Sequence, residues 1–336
     1  MHVNLKVIAR MAGVSTATVS RVINNKAVGN MKRETFERIK KIIEATDYRP
    51  DALAAGLRRG STNLIGVILP DTVNPYYAQL GSFIGREAFR HGFLTLVCNS
   101  AAETAREKDY VKHLISQRVA GILLCSTGLP AKELEPLLLA KSRVILLDED
   151  VEDFDGNAVI GDDYLGGWKG ADYLHSLGHS EILVIIGPEK LNSVRNRLRG
   201  FCDFKDKRTG GCDLDLVVSG DFTIESSYRE LSAALGKGLK ATAVFAFNDL
   251  MAIGAIKALM DKGYRVPQDM SVLGYDNIFI DELMNPKITT VATPLDLLAE
   301  KAVRLIVEGA DRKSEKLLLE PKILVRDSCQ ARRKEP

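Results

Sequence analysis

LKVIARMAGVSTATVSRVIN, residues 5–24, spaces its apolar side chains as two short helices around a tight turn. Ile8, Met11 and Ala12 fall on one face of the first helix, and Gly13 supplies a turn position where positive φ costs nothing. Ser15 is a good N-cap for a second helix, along which Val19, Val22 and Ile23 form an apolar stripe. Thr16, Ala17, Ser20 and Arg21 are left together on the opposite face, close to the helix start. A helix-turn-helix has this arrangement, with its second helix in a major groove and its first residues against base edges. Spacing alone also fits an ordinary helical hairpin, so the charge distribution has to separate the two.

The chain has 336 residues and a formal charge of +2, enough length for two or three domains and a large core. Residues 1–60 hold 12 Lys/Arg against 5 Asp/Glu, a balance of +7; the remainder holds 34 against 39, a balance of −5. A basic head on a mildly acidic body is what a nucleic-acid-binding unit joined to a separate domain looks like. Cys98, Cys125, Cys202, Cys212 and Cys329 show no CxxC spacing, so they read as free thiols with no disulfide and no zinc site. No signal peptide and no apolar run of membrane-spanning length is visible, so a cytoplasmic location without membrane contact is expected.

A third helix over roughly 32–46 brings Phe36, Ile39 and Ile43 to a small three-helix core and stops before Tyr48-Arg49-Pro50. PDALAAGLRRG (50–60) has proline at its start and glycine at its end, the signature of a short helix. Eleven residues are marginal in water, so it needs a partner to fold. From Asn63 the pattern changes to apolar strands alternating with amphipathic helices. The strands are 63–70, 93–99, 120–126 and 144–150, then 182–188, 214–220, 243–248 and 271–276, with helices at 76–91, 103–117, 164–177, 224–235 and 249–262. Two such runs predict two similar lobes of parallel sheet covered by helices, with ligands at the carboxyl ends of the strands.

Those ends carry polar and aromatic residues: Asn74, Tyr76 and Tyr77; Asp148 and Glu149; Phe222; Asn248 and Asp249; Tyr275, Asp276 and Asn277. Arg197 opens the stretch RLRGF. Asp, Asn and Arg offer directional partners to hydroxyls, and aromatic faces pack on the C–H surface of a sugar ring. Strand-end Asp and Asn also cap helices, and Asp249 and Asn74 are expected to do so. No G-x-S-x-G, Walker A or G-x-G-x-x-G sequence is present, which argues against an enzyme. His175 and His179 stand four apart, but Gly178 breaks the helix between them, so a solvated helix end is expected there.

VIARMAGVSTATVSRVIN, YRPDALAAGLR, IGVILPDTVNPYYAQL, VAGILLCS, RLRGF, FAFNDLMAIGAIKAL and VPQDMSVLGYDN together resemble the lactose-repressor family of transcriptional regulators over nearly the whole chain. The body is similar to the ribose-repressor branch and to periplasmic ribose-binding proteins. The resemblance implies an α/β fold, a helix-turn-helix head on a two-lobed, periplasmic-binding-protein-like effector domain. Its divisions fall at a head 1–48, a hinge 49–61 and an effector and dimerisation domain 62–336. One lobe takes about 62–163 and 293–321, the other about 164–292 and 322–336. It places DNA contacts on Ser15, Thr16, Ala17, Thr18, Ser20, Arg21 and Asn24. Thr16, Ala17 and Arg21 would read bases, with Thr18 and Ser20 near phosphates. Leu57 takes the place of the hinge leucine inserted in the minor groove, with Ala54 beside it. Effector contacts fall on Asn74, Tyr76, Tyr77, Cys125, Asp148, Arg197, Phe222, Asn248 and Asp276. The chain departs from the pattern in several places. Residues 24–35 run about two longer than usual. Val7 replaces an acidic cap, leaving Asn4 to cap the first helix alone. Gly56 weakens the hinge helix, and Glu149 stands where ribose binders often carry arginine. No leucine-heptad tail follows residue 326, so a dimer is expected.

The expected activity is therefore ligand-controlled repression by a homodimer on a near-palindromic double-stranded operator. The effector is expected to be a small polar molecule such as a sugar, presenting hydroxyls or an acid group to Arg197, with no cofactor. Sugar-like pocket residues favour an inducer over a co-repressor. A solute-binding protein would share the body but not residues 1–60, and an α/β enzyme would need a nucleophile, metal or cofactor motif.

Overall fold

A computed structural model describes residues 4–23, 31–46, 48, 61–138, 144–209, 211–212, 217–238, 240–309 and 314–332. Asn24, Ala54, Gly56 and Leu57 lie outside the described residues, and with them the hinge segment. The chain divides into two compact units, residues 1–62 and 63–336.

In the first unit, α1 (Leu5–Ala12), α2 (Thr16–Ile23) and α3 (Arg33–Ala45) close a small core around Ile8, Ala9, Ala12, Val19, Val22 and Ile39. Asn4 caps α1, its side chain accepting from the backbone N–H of Lys6 and Val7 at 3.0 and 3.1 Å. Gly13 takes φ 64, the left-handed turn that only glycine adopts without cost. The reading of α1 needs one correction: Met11 is 55% exposed, and Ala9 takes its place in the core. In eight residues a one-position error of helical phase moves a side chain by 100°, from core to solvent.

The second unit carries two six-stranded sheets. The first contains β1 (Leu64–Leu69), β2 (Leu94–Asn99), β3 (Gly121–Leu124), β4 (Val144–Asp148), β5 (Asn157–Gly161) and β11 (Lys316–Leu319), in the order β2-β1-β3-β4-β5-β11, all parallel. The second contains β6 (Ile182–Ile186), β7 (Val217–Ser219), β8 (Ala243–Ala246), β9 (Ser271–Tyr275), β10 (Thr289–Ala292) and β12 (Lys322–Leu324). It repeats the order as β7-β6-β8-β9-β10-β12, with only β12 antiparallel. Around the first sheet lie α4 (Pro75–Arg90), α5 (Thr104–Ser116), α6 (Ala131–Leu138) and α11 (Leu295–Glu308). Around the second lie α7 (Asp163–Ser176), α8 (Asn192–Thr209), α9 (Ile224–Gly236) and α10 (Asp249–Asp261). The strands near the middle of each sheet are buried on both faces and read as unbroken apolar runs.

All eight expected strands and the five listed helices are present, with bounds shifted by a few residues. β5, β10, β11 and β12 were not read from the sequence. β5 and β10 hold only two or three consecutive apolar residues, and β11 and β12 are largely exposed, so they lack the long apolar run that marks a strand. Two further expectations are overturned. Cys202 and Cys212 are not free thiols: the chain after α8 turns back, bringing their Cα atoms to 5.0 Å, and a disulfide joins them. His179 is not solvated either. It is 3% exposed and bonded to Thr242 Oγ1 at 2.9 Å, Ser271 Oγ at 3.1 Å and the Gln330 carbonyl at 3.1 Å. Burial pushes its pKa down, so the neutral ring serves as a polar tie between strands distant in sequence.

Candidate functional site

In the first unit, the start of α2 presents the polar face read from the sequence. Ser15 Oγ accepts from Thr18 N–H at 3.1 Å and bonds Thr18 Oγ1 at 2.9 Å, fixing the first turn. Ser15, Thr16, Ala17 and Arg21 are exposed, while Thr18 and Ser20 are half-buried beside them. Val19 and Val22 anchor the opposite side.

In the second unit, each sheet reverses its winding between its second and third strands, β1/β3 and β6/β8, and ligands of such sheets bind outside the carboxyl ends at these points. Residues that follow β1, β3, β4, β6, β8 and β9 therefore face a common cleft. Three cleft residues hold backbone conformations that L side chains rarely adopt: Asp148 at φ 67, Phe222 at φ 69 and Asp276 at φ 113. Such conformations cost about 1–3 kcal/mol each and cluster at functional sites.

Tyr76, at the start of α4, donates its hydroxyl to Asp148 Oδ1 and packs edge-on against Tyr77, ring centroids 5.1 Å apart. Arg197, on α8, is 8% exposed; Nε donates to Asp163 Oδ1 at 2.7 Å and Nη1 to the Phe247 carbonyl at 2.5 Å. Its guanidinium lies 3.6 Å from the Tyr275 ring centroid, and Asp276 Oδ1 stands 3.9 Å from Nη1. Arg197 is therefore anchored through Nε and Nη1, which leaves Nη2 without a hydrogen-bond partner among the described residues. Glu149 accepts from Ser193 Oγ at 2.5 Å and from Ser193 N–H at 3.1 Å, tying the end of β4 to the start of α8. Cys125 is 1% exposed just after β3.

Two Asn residues in the candidate set also build the scaffold. Asn74 caps α4, accepting from Tyr76 N–H at 3.0 Å. Asn248, not Asp249, caps α10: its Oδ1 accepts from Met251 N–H at 2.8 Å while Nδ2 donates to the Phe222 carbonyl at 3.1 Å. Asp249 is wholly buried and accepts from Thr290 Oγ1 at 2.7 Å and Ile278 N–H at 3.1 Å. The cap falls one residue earlier because Asn248 has the extended backbone of a cap and Asp249 is already helical.

Burial dominates the electrostatics. It pushes Asp148 up to about 6, against the Tyr76 hydrogen bond, and Glu149 up to about 8, against its bonds from Ser193. Asp276 is raised well above the usual carboxylate range by burial, with Arg197 opposing and Asp249 and Asp148 reinforcing. Burial alone would lower Arg197, but Asp163, Tyr275 and Asp276 hold it firmly charged. A cavity of about 240 Å³ opens beside Asp276, walled by Gln79, Phe83, Thr293 and Leu295. It lies just below the range of about 300–1,000 Å³ common for small-molecule sites.

Asp163, Ser193 and Gln79 were not read from the sequence as site residues, and Tyr275 was read only as an aromatic at a strand end. Asp163 follows a strand, β5, with only three apolar residues between Asn157 and Gly161, and Ser193 opens a helix that the sequence shows only through RLRGF. Gly167 explains how α7 and α8 hold Arg197: a Cβ there would land on the Arg197 carbonyl oxygen, so only glycine permits this approach.

The model for bacterial regulatory proteins of the lacI family matches residues 4–51, and that for a periplasmic binding protein-like domain matches residues 171–329. The chain is 32% identical over 328 residues to the HTH-type transcriptional regulator DegA of Bacillus subtilis, covering 96% of each. It is 32% identical over 332 residues to the HTH-type transcriptional repressor PurR of Pasteurella multocida, covering 98% of this chain and 99% of the relative. Among solved structures, the lac repressor dimer bound to operator and an anti-inducer aligns with TM-score 0.86 at 27% identity, over 98% of this chain and 100% of that one. A regulator from Enterococcus faecium with bound ribose aligns with TM-score 0.73 at 28% identity, over 80% of this chain and 100% of that one. Among the described residues no helix is long and apolar enough to cross a membrane.

Proposed function

This chain belongs to the lacI family of bacterial regulatory proteins, and from that premise we propose that it represses transcription as a homodimer released from operator DNA by a small sugar-like inducer. The observation that carries the reading is the pairing, in one chain, of an exposed polar α2 start with a cleft whose Asp148, Phe222 and Asp276 are held at positive φ. Arg21, Thr16 and Ala17 read base edges; Ser15, Thr18, Ser20 and Asn24 complete the contact. The effector meets Asn74, Tyr76, Tyr77, Cys125, Asp148, Arg197, Phe222, Asn248 and Asp276, with one set of groups from each sheet. The bound lac repressor and the ribose-bound regulator support a DNA partner and a sugar for the respective sites. Phe89, Leu94, Leu96 and Val97, 73%, 52%, 45% and 46% exposed on α4 and β2, form the apolar surface we assign to the second copy.

Fluorescence anisotropy on a near-palindromic duplex and a scrambled one, with and without sugars, tests this. A preference for the palindrome that a sugar abolishes is the expected result. Equal binding to both duplexes would refute the regulator, and tighter binding with sugar would make the ligand a co-repressor.

A further inference from the structure

Asp281 lies in a short 3₁₀ turn, Phe279–Glu282, which follows β9 and forms the corner leading away from Asp276. It is wholly buried, and neither oxygen of its carboxyl receives a hydrogen bond among the described residues. The group it faces is another carboxyl: Asp249, also wholly buried, stands in hydrogen-bonding contact with it. Gly274 on β9 makes room for Asp249, since a Cβ there would land on Asp249 Oδ1. The oxygens of Asp249 already accept from Thr290 Oγ1 at 2.7 Å and Ile278 N–H at 3.1 Å. Arg326 stands 3.8 Å from Asp281 Oδ2, beyond hydrogen-bond distance. Its Nε, Nη1 and Nη2 donate instead to Glu282, the Ile288 carbonyl and Asn277 Oδ1, at 2.6, 2.7 and 2.6 Å. Lys287 pairs with Glu282 at 3.2 Å, and Asp276 adds a further carboxyl nearby.

We propose that Asp281 is a neutral acid whose hydroxyl donates to Asp249, and that this bond fastens the corner carrying Asp276 and the contact of Phe279 with the first sheet's helix. Two carboxylates in contact and out of water cannot both stay ionised, so one proton belongs to the pair. Asp281 holds it, because the two donors on Asp249 favour the anion there. The acid O–H is then the donor that the facing acceptors otherwise lack. Three bonds hold the corner together: Asp281 to Asp249, Ile278 N–H to Asp249, and Phe279 N–H to Gln79 Oε1 at 2.7 Å. Gln79 belongs to α4, which packs against the first sheet, so this turn joins the two sheets beside the cavity at Asp276. Asp281 is thus a positioning residue, acting through the backbone that carries Asp276. Burial and then the charge of Asp249 push its pKa up, against the pull of Arg326. The rival arrangement is an ionised Asp281 paired with Arg326, and it responds to an amide in the opposite way.

The test compares the full chain with two variants. Asp281→Asn keeps a donor of the same size without a titrating proton, and Asp281→Leu fills the space with no donor. An acid kept neutral by the fold loses stability as pH rises above the unfolded carboxyl value, because only the unfolded chain then releases its proton. Asp281→Asn should therefore leave Tm nearly unchanged at pH 4, raise it by about 2 °C or more at pH 7, and raise it further at pH 9. Infrared spectra at pH 7 should show the carbonyl band of a protonated acid weakened by one group in Asp281→Asn. Amide hydrogen exchange over residues 276–283 should stay as slow in Asp281→Asn as in the unaltered chain and quicken in Asp281→Leu. A Tm that falls at pH 7 and 9 in Asp281→Asn, or does not move with pH, would make Asp281 an anion and overturn the proposal. An undiminished acid band would do the same. Equal exchange in the two variants overturns the positioning role. Should Asp281→Leu fail to fold, the Tm and infrared comparisons on Asp281→Asn decide.

Discussion

Arg21 and Glu149 show how a single residue acts once its surroundings are fixed. Arg21 is exposed on α2 while Val19 and Val22 hold the helix from behind. An arginine so placed discriminates a guanine edge by about 1–3 kcal/mol. Arg21→Ala should therefore lower operator affinity by that amount and leave binding to random DNA nearly unchanged in a filter-binding comparison. Equal losses would make it a phosphate contact. Glu149 is 8% exposed, and burial pushes it to about 8 from an ordinary 4.5. A carboxyl raised in the folded state contributes its stability below the unfolded pKa and loses it as pH rises through the folded one. Melting temperature should thus fall between about pH 4.5 and 8 in part through Glu149. Glu149→Gln should flatten that fall, raising Tm at pH 8.5 and changing it little at pH 4; an unchanged slope would show that Glu149 is not the group responsible.

Elements in the second unit are placed by close approach as much as by apolar burial. The backbones of α7 and α8 meet at Gly167, beneath Arg197. Gly167→Ala must push α8 away, and overpacking of this kind costs about 1–3 kcal/mol. The displaced helix carries Arg197 and Ser193 with it, so effector affinity should fall together with Tm. Gly85, inside α4, is the control: an added Cβ would meet only Thr95 Oγ1, at 3.6 Å. Gly85→Ala should stabilise by about 0.4–1 kcal/mol through the unfolded chain. Chemical denaturation of both variants would show opposite signs; equal effects would mean that the α7–α8 approach is not limiting.

At the scale of the whole molecule, repression needs two heads acting together. Leu94, Leu96 and Val97 leave β2 apolar and exposed at one edge of the first sheet, an edge that would be hazardous in a monomer. Leu96→Glu should shift the chain to monomers in sedimentation and lower operator affinity by about 10²–10⁴-fold as the second head is no longer tethered. Effector binding to each cleft should survive. A variant that stays dimeric would place the assembly surface elsewhere.

Much of this protein is legible in its sequence, because strong local signals specify it. Gly13, Ser15 and Asn4 declare turn and caps within a few residues of where they act, and the central strands are apolar runs that no solvated segment would carry. The tyrosines, Asp148, Arg197 and Asp276 stand out because, unlike the helix-capping Asn74 and Asn248 beside them, they cap no helix. Tertiary structure decided what depends on partners far along the chain. Arg197 is held by Asp163, thirty-four residues away, and by the Phe247 carbonyl, fifty away. His179 is enclosed by Thr242, Ser271 and Gln330, so its local setting at a helix end misrepresents its burial. Met11 turned outward and Asp249 inward because helical phase is set by what packs against each helix. The sequence by itself determined which segments fold and which polar and aromatic residues stand at the strand ends. Only the folded chain determined which charges meet there, since burial and proximity between distant residues fix their electrostatics.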